Sequence, residues 1–186
     1  PYNVGYDFDH ESKSTKDYVK RCLNYWLTEY KVDGFRFDLS KGFTQTQSTE
    51  STMGNYDASR IAILKGYADA VWSTNPNAHV ILEHFAENKE EVELANYGMM
   101  LWGNMNYAYN EATMGYPSNL TGILYSSRGW TKPHLVGYME SHDEERLMFK
   151  NLQYGNSAGG YSVKTLATAL ERNAMAAVFF YAIPGP

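Results

Sequence analysis

A single cysteine among 186 residues means that no disulfide can form within the chain and that no cysteine cluster can hold a metal. Cys22 falls with Val19, Leu23, Trp26 and Tyr30 on the apolar face of an expected helix, where a thiol is ordinary packing, so the redox compartment stays undetermined. There is no run of Lys or Arg, and the net charge is -5. That balance argues against nucleic acid or an anionic membrane as partner and for a neutral or small ligand. No stretch reaches the roughly 18 apolar residues of a transmembrane helix, and the opening Pro1-Tyr2-Asn3-Val4-Gly5 is no signal peptide. Internal repeats and low-complexity segments are missing too. What is present is 44% hydrophobic residues, enough for a sizeable core, and many aromatics: Tyr 16, Phe 8 and Trp 4. Aromatic faces stack on the apolar C–H face of a pyranose, although core packing is the ordinary role of any one ring.

The hydrophobic pattern alternates between helical and strand periods. Residues 14–31 have apolar positions at 19, 22, 23, 26, 27 and 30, with Ser14, Thr15 and Asp17 as capping candidates, which predicts a helix. A strand follows over 32–39, with Phe35, Phe37 and Leu39 on one face and Gly34, Arg36 and Asp38 on the other. The polar stretch 44–56 reads as a long loop, 57–73 as a helix burying Ile61, Leu64, Ala68 and Trp72, 78–85 as a strand and 88–96 as a short helix. Residues 99–102 read as a strand and 135–141 as another, separated by a long aromatic loop with Tyr107, Tyr109, Tyr116 and Trp130; a long helix covers about 162–180. Strands alternating with helices predict an α/β fold with a parallel sheet. Such sheets carry their sites at the carboxyl ends of the strands.

Three acids fall at those ends: Asp38 in Gly34-Phe35-Arg36-Phe37-Asp38, Glu83 after Val80-Ile81-Leu82, and Asp143 in Glu140-Ser141-His142-Asp143. Retaining cleavage of a glycosidic bond needs one ionised carboxylate as nucleophile and one protonated carboxyl as acid, about 5–5.5 Å apart. Arg36 beside Asp38 favours its ionised form, and the apolar company of Glu83 favours its protonated form. Asp143 could bind hydroxyls of the strained ring, with His142 donating a further hydrogen bond. A buried ion pair that only orients strands is the competing reading of Arg36 and Asp38. The run Glu87-Asn88-Lys89-Glu90-Glu91 reads as a solvated helix start, Glu140 as pointing away from Asp143, and Glu144 and Glu145 as surface partners of Arg146. Adjacent residues such as His142-Asp143-Glu144-Glu145 do not face one centre, so no metal ligand is assigned.

At these three motifs the sequence resembles the α-amylase family of glycoside hydrolases, retaining α-glucan enzymes built on a TIM barrel. Gly34-Phe35-Arg36-Phe37-Asp38-Leu39-Ser40-Lys41 looks like the family's fourth-strand motif, Glu83 like its fifth-strand acid/base, and His142-Asp143 like its seventh-strand pair. The resemblance implies Asp38, Glu83 and Asp143 as catalytic residues and Arg36, Lys41 and His142 as substrate-binding ones. It also implies a partial (β/α)8 barrel, from about strand four to the helix before strand eight, in which residues 1–186 are part of the catalytic domain of a longer enzyme. Tyr97, Trp102, Tyr107 and Trp130 are candidate stacking platforms. Where the family often has a histidine after the lysine this chain has Gly42, and where it often has asparagine before the histidine this chain has Ser141, as in glycogen branching enzymes. Asp7-Phe8-Asp9-His10 resembles a segment near which a calcium ion binds in the full-length enzyme, but too few oxygen ligands are present to assign one.

The expected activity is hydrolysis of α-glucans such as starch, glycogen or maltodextrin. Branching or transglycosylation, and a glucan-binding homologue without turnover, remain alternatives. The isolated fragment is expected to be inactive, because part of the sugar cleft is absent. Polymeric starch favours an extracellular, cell-surface or periplasmic location over the cytoplasm, although intracellular maltodextrin enzymes share these motifs.

Overall fold

A computed structural model describes residues 6–186; the opening Pro1-Tyr2-Asn3-Val4-Gly5, read above for a leader, lies outside the described residues. Four strands form one parallel sheet in the order β1-β2-β3-β4, alternating with helices as part of a (β/α)8 barrel. The chain divides into two compact units, Pro1–Trp102 and Gly103–Pro186.

The first unit opens with α1 (Lys13–Glu29). Its N-cap is Ser12, and Asp9 Oδ1 accepts from the N–H groups of Glu11 (2.9 Å) and Ser12 (3.2 Å), so Ser14, Thr15 and Asp17 lie inside the helix rather than capping it. Leu23 and Leu27 are buried, whereas Trp26 and Tyr30 are exposed and pack on each other at 4.6 Å. The buried stripe of α1 is one residue row wide, narrower than its apolar pattern. Strand β1 (Gly34–Phe37) is shorter than expected because Leu39 turns into the left-handed region at φ 42° and leaves its side chain exposed. Gly34 pairs with His79, and a Cβ there would stand 2.3 Å from the His79 carbonyl oxygen, so only glycine fits.

Helix α2 (Ala58–Thr74) is capped by Asp57, whose Oδ1 accepts from Ser59 N (2.8 Å) and Arg60 N (3.2 Å). It buries Ile61, Ile63, Leu64, Tyr67, Ala68 and Val71. Trp72 is only half-buried, and its indole N–H donates to Ala78 O at 3.0 Å, tying the end of α2 to the start of β2 (His79–Leu82). Helix α3 (Asn88–Tyr97) ends at Gly98 (φ 130°) and leads into β3 (Met100–Asn104). Val80, Leu82, Leu94, Ala95, Met99 and Leu101 complete this core.

In the second unit the expected aromatic loop is in part a helix, α4 (Asn106–Met114). Asn104 Oδ1 accepts from Asn106 N at 2.9 Å, and Tyr109, Thr113 and Met114 turn one face inward, a helical spacing masked by tyrosines on both faces. Strand β4 (Leu135–Tyr138) stops three residues short of the expected end, and an unanticipated helix α5 (Leu147–Tyr154) follows. Helix α6 (Leu166–Tyr181) starts four residues late: Val163 is drawn into the core and its N–H donates to Asn156 O at 2.9 Å, an extended contact incompatible with a helix there. Met105, Tyr109, Ile123, Leu147 and Ala176 form the core of this unit, with Phe180 edge-on to Tyr109 at 5.9 Å.

Candidate active site

Parallel register alone sets Asp38 against Glu83. Phe37 is paired with Leu82, so the next residue of each strand is an acid. Arg36 lies between them: its Nη1 donates to Asp38 Oδ1 and, at 2.8 Å, to Glu83 Oε2. The guanidinium sits 4.6 Å from the ring of Trp102, which fixes its plane by a cation–π contact. Leu39 N donates to the same Glu83 Oε2 at 3.2 Å. The left-handed backbone of Leu39, a strain of about 1–3 kcal/mol for such a residue, is what aims that N–H at the carboxylate.

The two acids differ in environment. The Glu83 side chain is 6% exposed and that of Asp38 is 67% exposed. Burial, then a hydrogen bond with the Asp38 carboxyl and its negative charge, push Glu83 above the ordinary glutamate range; Leu39 N–H and Arg36 oppose that rise and do not cancel it.

Behind Glu83 lies a buried polar chain that sequence reasoning missed. Ser40 donates from N (2.9 Å) and from Oγ (3.0 Å) to the Glu83 carbonyl, and Ser40 Oγ is 2.9 Å from His84 Nδ1. His84 Nε2 is 2.8 Å from Glu90 Oε1, and Arg60 grips Glu90 with Nε and Nη2, both at 2.7 Å. The expected solvated helix start is corrected here: Glu90 is 0% exposed, and Glu91 is buried beside it. Burial alone would raise Glu90, but hydrogen bonds from His84, Arg60 and the Asp57 N–H hold it below the glutamate range. Burial, with the Arg60 and Lys41 charges, lowers His84 against the pull of Glu90. The available signal was Arg60, a lone cation between Ala58 and the apolar Ile61-Ala62-Ile63-Leu64.

Lys41 follows in a 3₁₀ turn, Ser40–Gly42, and its carbonyl accepts from Arg60 Nη1 at 2.9 Å. Arg60 also donates to Met53 O (3.1 Å) and Asn55 O (2.9 Å), stapling the loop after β1 at three points.

His142 and Asp143 belong to the second unit, where His142 Nε2 is 3.4 Å from Asp143 Oδ1 and both side chains are exposed. Their loop is organised by Glu144, which accepts from Ser141 N (3.1 Å), Ser141 Oγ and Asn104 Nδ2. Glu144 is therefore no surface partner of Arg146, which instead donates to Ser141 O at 2.7 Å and lies 3.8 Å from Glu140. Glu140 accepts from Leu147 N at 2.5 Å and so starts α5, while Glu145 pairs with Lys150. Thus Arg36, Asp38 and Glu83 are brought together in one unit, and His142 and Asp143 side by side in the other.

Of the aromatic candidates, Trp130 is 3% exposed and packed inward, so it offers no platform. Tyr97 ends α3, the end feeding the start of a strand and opposite to the acids; its hydroxyl donates to Asp69 Oδ1 at 2.7 Å. Trp102 lies beneath Arg36, and Tyr107 is exposed in the first turn of α4. Among the described residues no three His, Cys, Asp or Glu side chains gather as metal ligands. Asp9, in the segment considered for calcium, spends Oδ1 on two backbone N–H groups.

Residues 3–170 match the family model for the α-amylase catalytic domain. Over 36 residues, 19% of the chain, the sequence is 50% identical to a pullulanase of Bacillus subtilis (strain 168), of which that stretch covers 5%. The fold is similar to that of a pullulanase from Anoxybacillus sp. LM18-11 solved with maltotetraose: TM-score 0.64 at 19% identity, over 98% of this chain and 27% of that one. The chain thus spans about a quarter of that protein's length. With the match running through both units and all three acidic motifs, the chain belongs to the α-amylase catalytic-domain family.

Proposed function

We propose that the protein carrying this chain is a retaining glycosidase of α-glucans, and that residues 1–186 supply part of its catalytic barrel. The observation that carries this reading is one arginine, Arg36, bridging an exposed Asp38 and a buried Glu83 at the ends of neighbouring parallel strands. Asp38, exposed and paired with Arg36, attacks the anomeric carbon. Glu83, buried and protonated, gives its proton to the departing oxygen, then takes one from the water that releases the sugar.

Two anchors, Arg36 Nη1 and Leu39 N, hold Glu83 Oε2 in place for that proton transfer. Asp143 and His142 stabilise the strained ring, and Lys41 contacts a sugar on the acceptor side. The pullulanases to which the chain is similar make pullulan a substrate to set beside starch.

The test is reducing-sugar release from soluble starch and pullulan by the full-length protein, with Asp38→Asn and Glu83→Gln variants. Each variant should lose a factor of about 10³ or more, and the first-formed anomer should retain configuration. Near-normal rates in either variant, or an inverted product, would sink the assignment. Longer oligosaccharides among the products would instead identify chain transfer with the same two acids.

A further inference from the structure

Ser40, His84 and Glu90 stand in the order of a hydroxyl, an imidazole and an acid, at 2.9 and 2.8 Å. Nucleophilic chemistry by that trio is excluded by burial, since all three residues are 0% exposed and no substrate carbonyl can reach Ser40 Oγ. The hydroxyl faces the Glu83 carbonyl instead. We propose that Ser40, His84, Glu90 and Arg60 form a positioning chain for the acid/base Glu83; the inference rests on the role of Glu83 proposed above.

The turn Leu39-Ser40 grips Glu83 at both ends, Leu39 N on the carboxyl oxygen and Ser40 on the main-chain carbonyl. That grip depends on the left-handed Leu39, a conformation that persists only where its surroundings over-determine it. The surroundings are the buried chain. Glu90, fixed by Arg60, receives the His84 Nε2–H; this leaves Nδ1 as an acceptor directed at Ser40. Ser40 has one hydroxyl proton to share between two acceptors in reach, the Glu83 carbonyl and His84 Nδ1, while its backbone N–H holds the same carbonyl at 2.9 Å. Arg60 also donates to Lys41 O, clamping the far side of the same turn. A charged pair buried this deeply is retained at a desolvation cost, and here it joins α2 and α3 to the turn that aims the acid.

The distinguishing measurement compares two substrates in the full-length protein: soluble starch, whose leaving group needs a proton, and α-maltosyl fluoride, whose leaving group does not. Ser40→Ala should lower kcat/KM on starch about tenfold or more and on the fluoride by less than about threefold, because only the first needs an aligned acid. Ser40→Cys, close in volume, should fall between Ala and the wild type, and it carries the comparison if the Ala variant does not fold. Glu83→Gln serves as the reference and should show the same selectivity in larger measure. Equal losses on both substrates in the Ser40 variants, or no loss on either, overturn the positioning role while leaving Glu83 in place. An unselective Glu83→Gln would instead remove the acid/base reading, and the positioning chain with it.

Discussion

Gly42 stands where the family often places a sugar-contacting histidine, one residue after Lys41. A Cβ there would meet nothing within 4 Å, and the backbone is outside the left-handed region, so a side chain is sterically free to enter. Gly42→His should therefore fold normally and lower KM for maltooligosaccharides about threefold, the value of one weak added contact, with little change in kcat. Steady-state kinetics check it, and a raised KM would mean that the open space is part of the glucan path. Asp38 and Glu83 were legible because each follows an apolar strand and the register needed only to be parallel. Glu90 was not, because a run of acids and a lysine looks solvated until Arg60, thirty residues away, is known to fold onto it. Side-chain burial at one residue is a long-range property, and local pattern does not contain it.

Elements were readable where cap and period agree, as in α2, whose Asp57 precedes a dense apolar face. They were lost where tyrosines hide the period, as in α4, or where a start depends on an acid several residues upstream, as Glu140 does for α5. Asp57 is also held well below the aspartate range: burial would raise it, but hydrogen bonds from Thr44, Ser59, Thr46 and the Arg60 N–H prevail. Asp57→Ala should cost about 1 kcal/mol, seen as faster amide exchange in the first turn of α2. Acid should loosen the same region. Glu90 is depressed, so its contribution is present above the ordinary glutamate value and lost as pH falls through the lower folded one. His84 is depressed too, so the unfolded chain binds its proton first and stability falls as pH drops below about 6.5. Both shifts act in one direction. Protection factors in α3, corrected for the pH dependence of intrinsic amide exchange, that did not fall between pH 7 and pH 4 would contradict this coupling.

At the scale of the molecule, the α/β alternation was plain because every strand is preceded and followed by helical or turn signals, and a parallel sheet leaves few other topologies. What periodicity could not give was which helix faces are covered. Helix α6 is apolar nearly all round, yet Leu166, Leu170, Met175, Val178, Phe179 and Tyr181 are exposed. A four-strand sheet likewise keeps two edges, where an eight-stranded barrel has none. Uncovered apolar surface and unpaired strand edges both favour contact between copies. On the function proposed above, the 186-residue chain produced on its own should therefore self-associate at micromolar concentration and release little sugar from starch or pullulan, whereas a longer protein carrying it should stay dispersed and active. Light scattering and reducing-sugar assays on both read the outcome. A monodisperse, active 186-residue chain would mean that four strands suffice for the chemistry of Asp38 and Glu83, and that the exposed face of α6 is compatible with water.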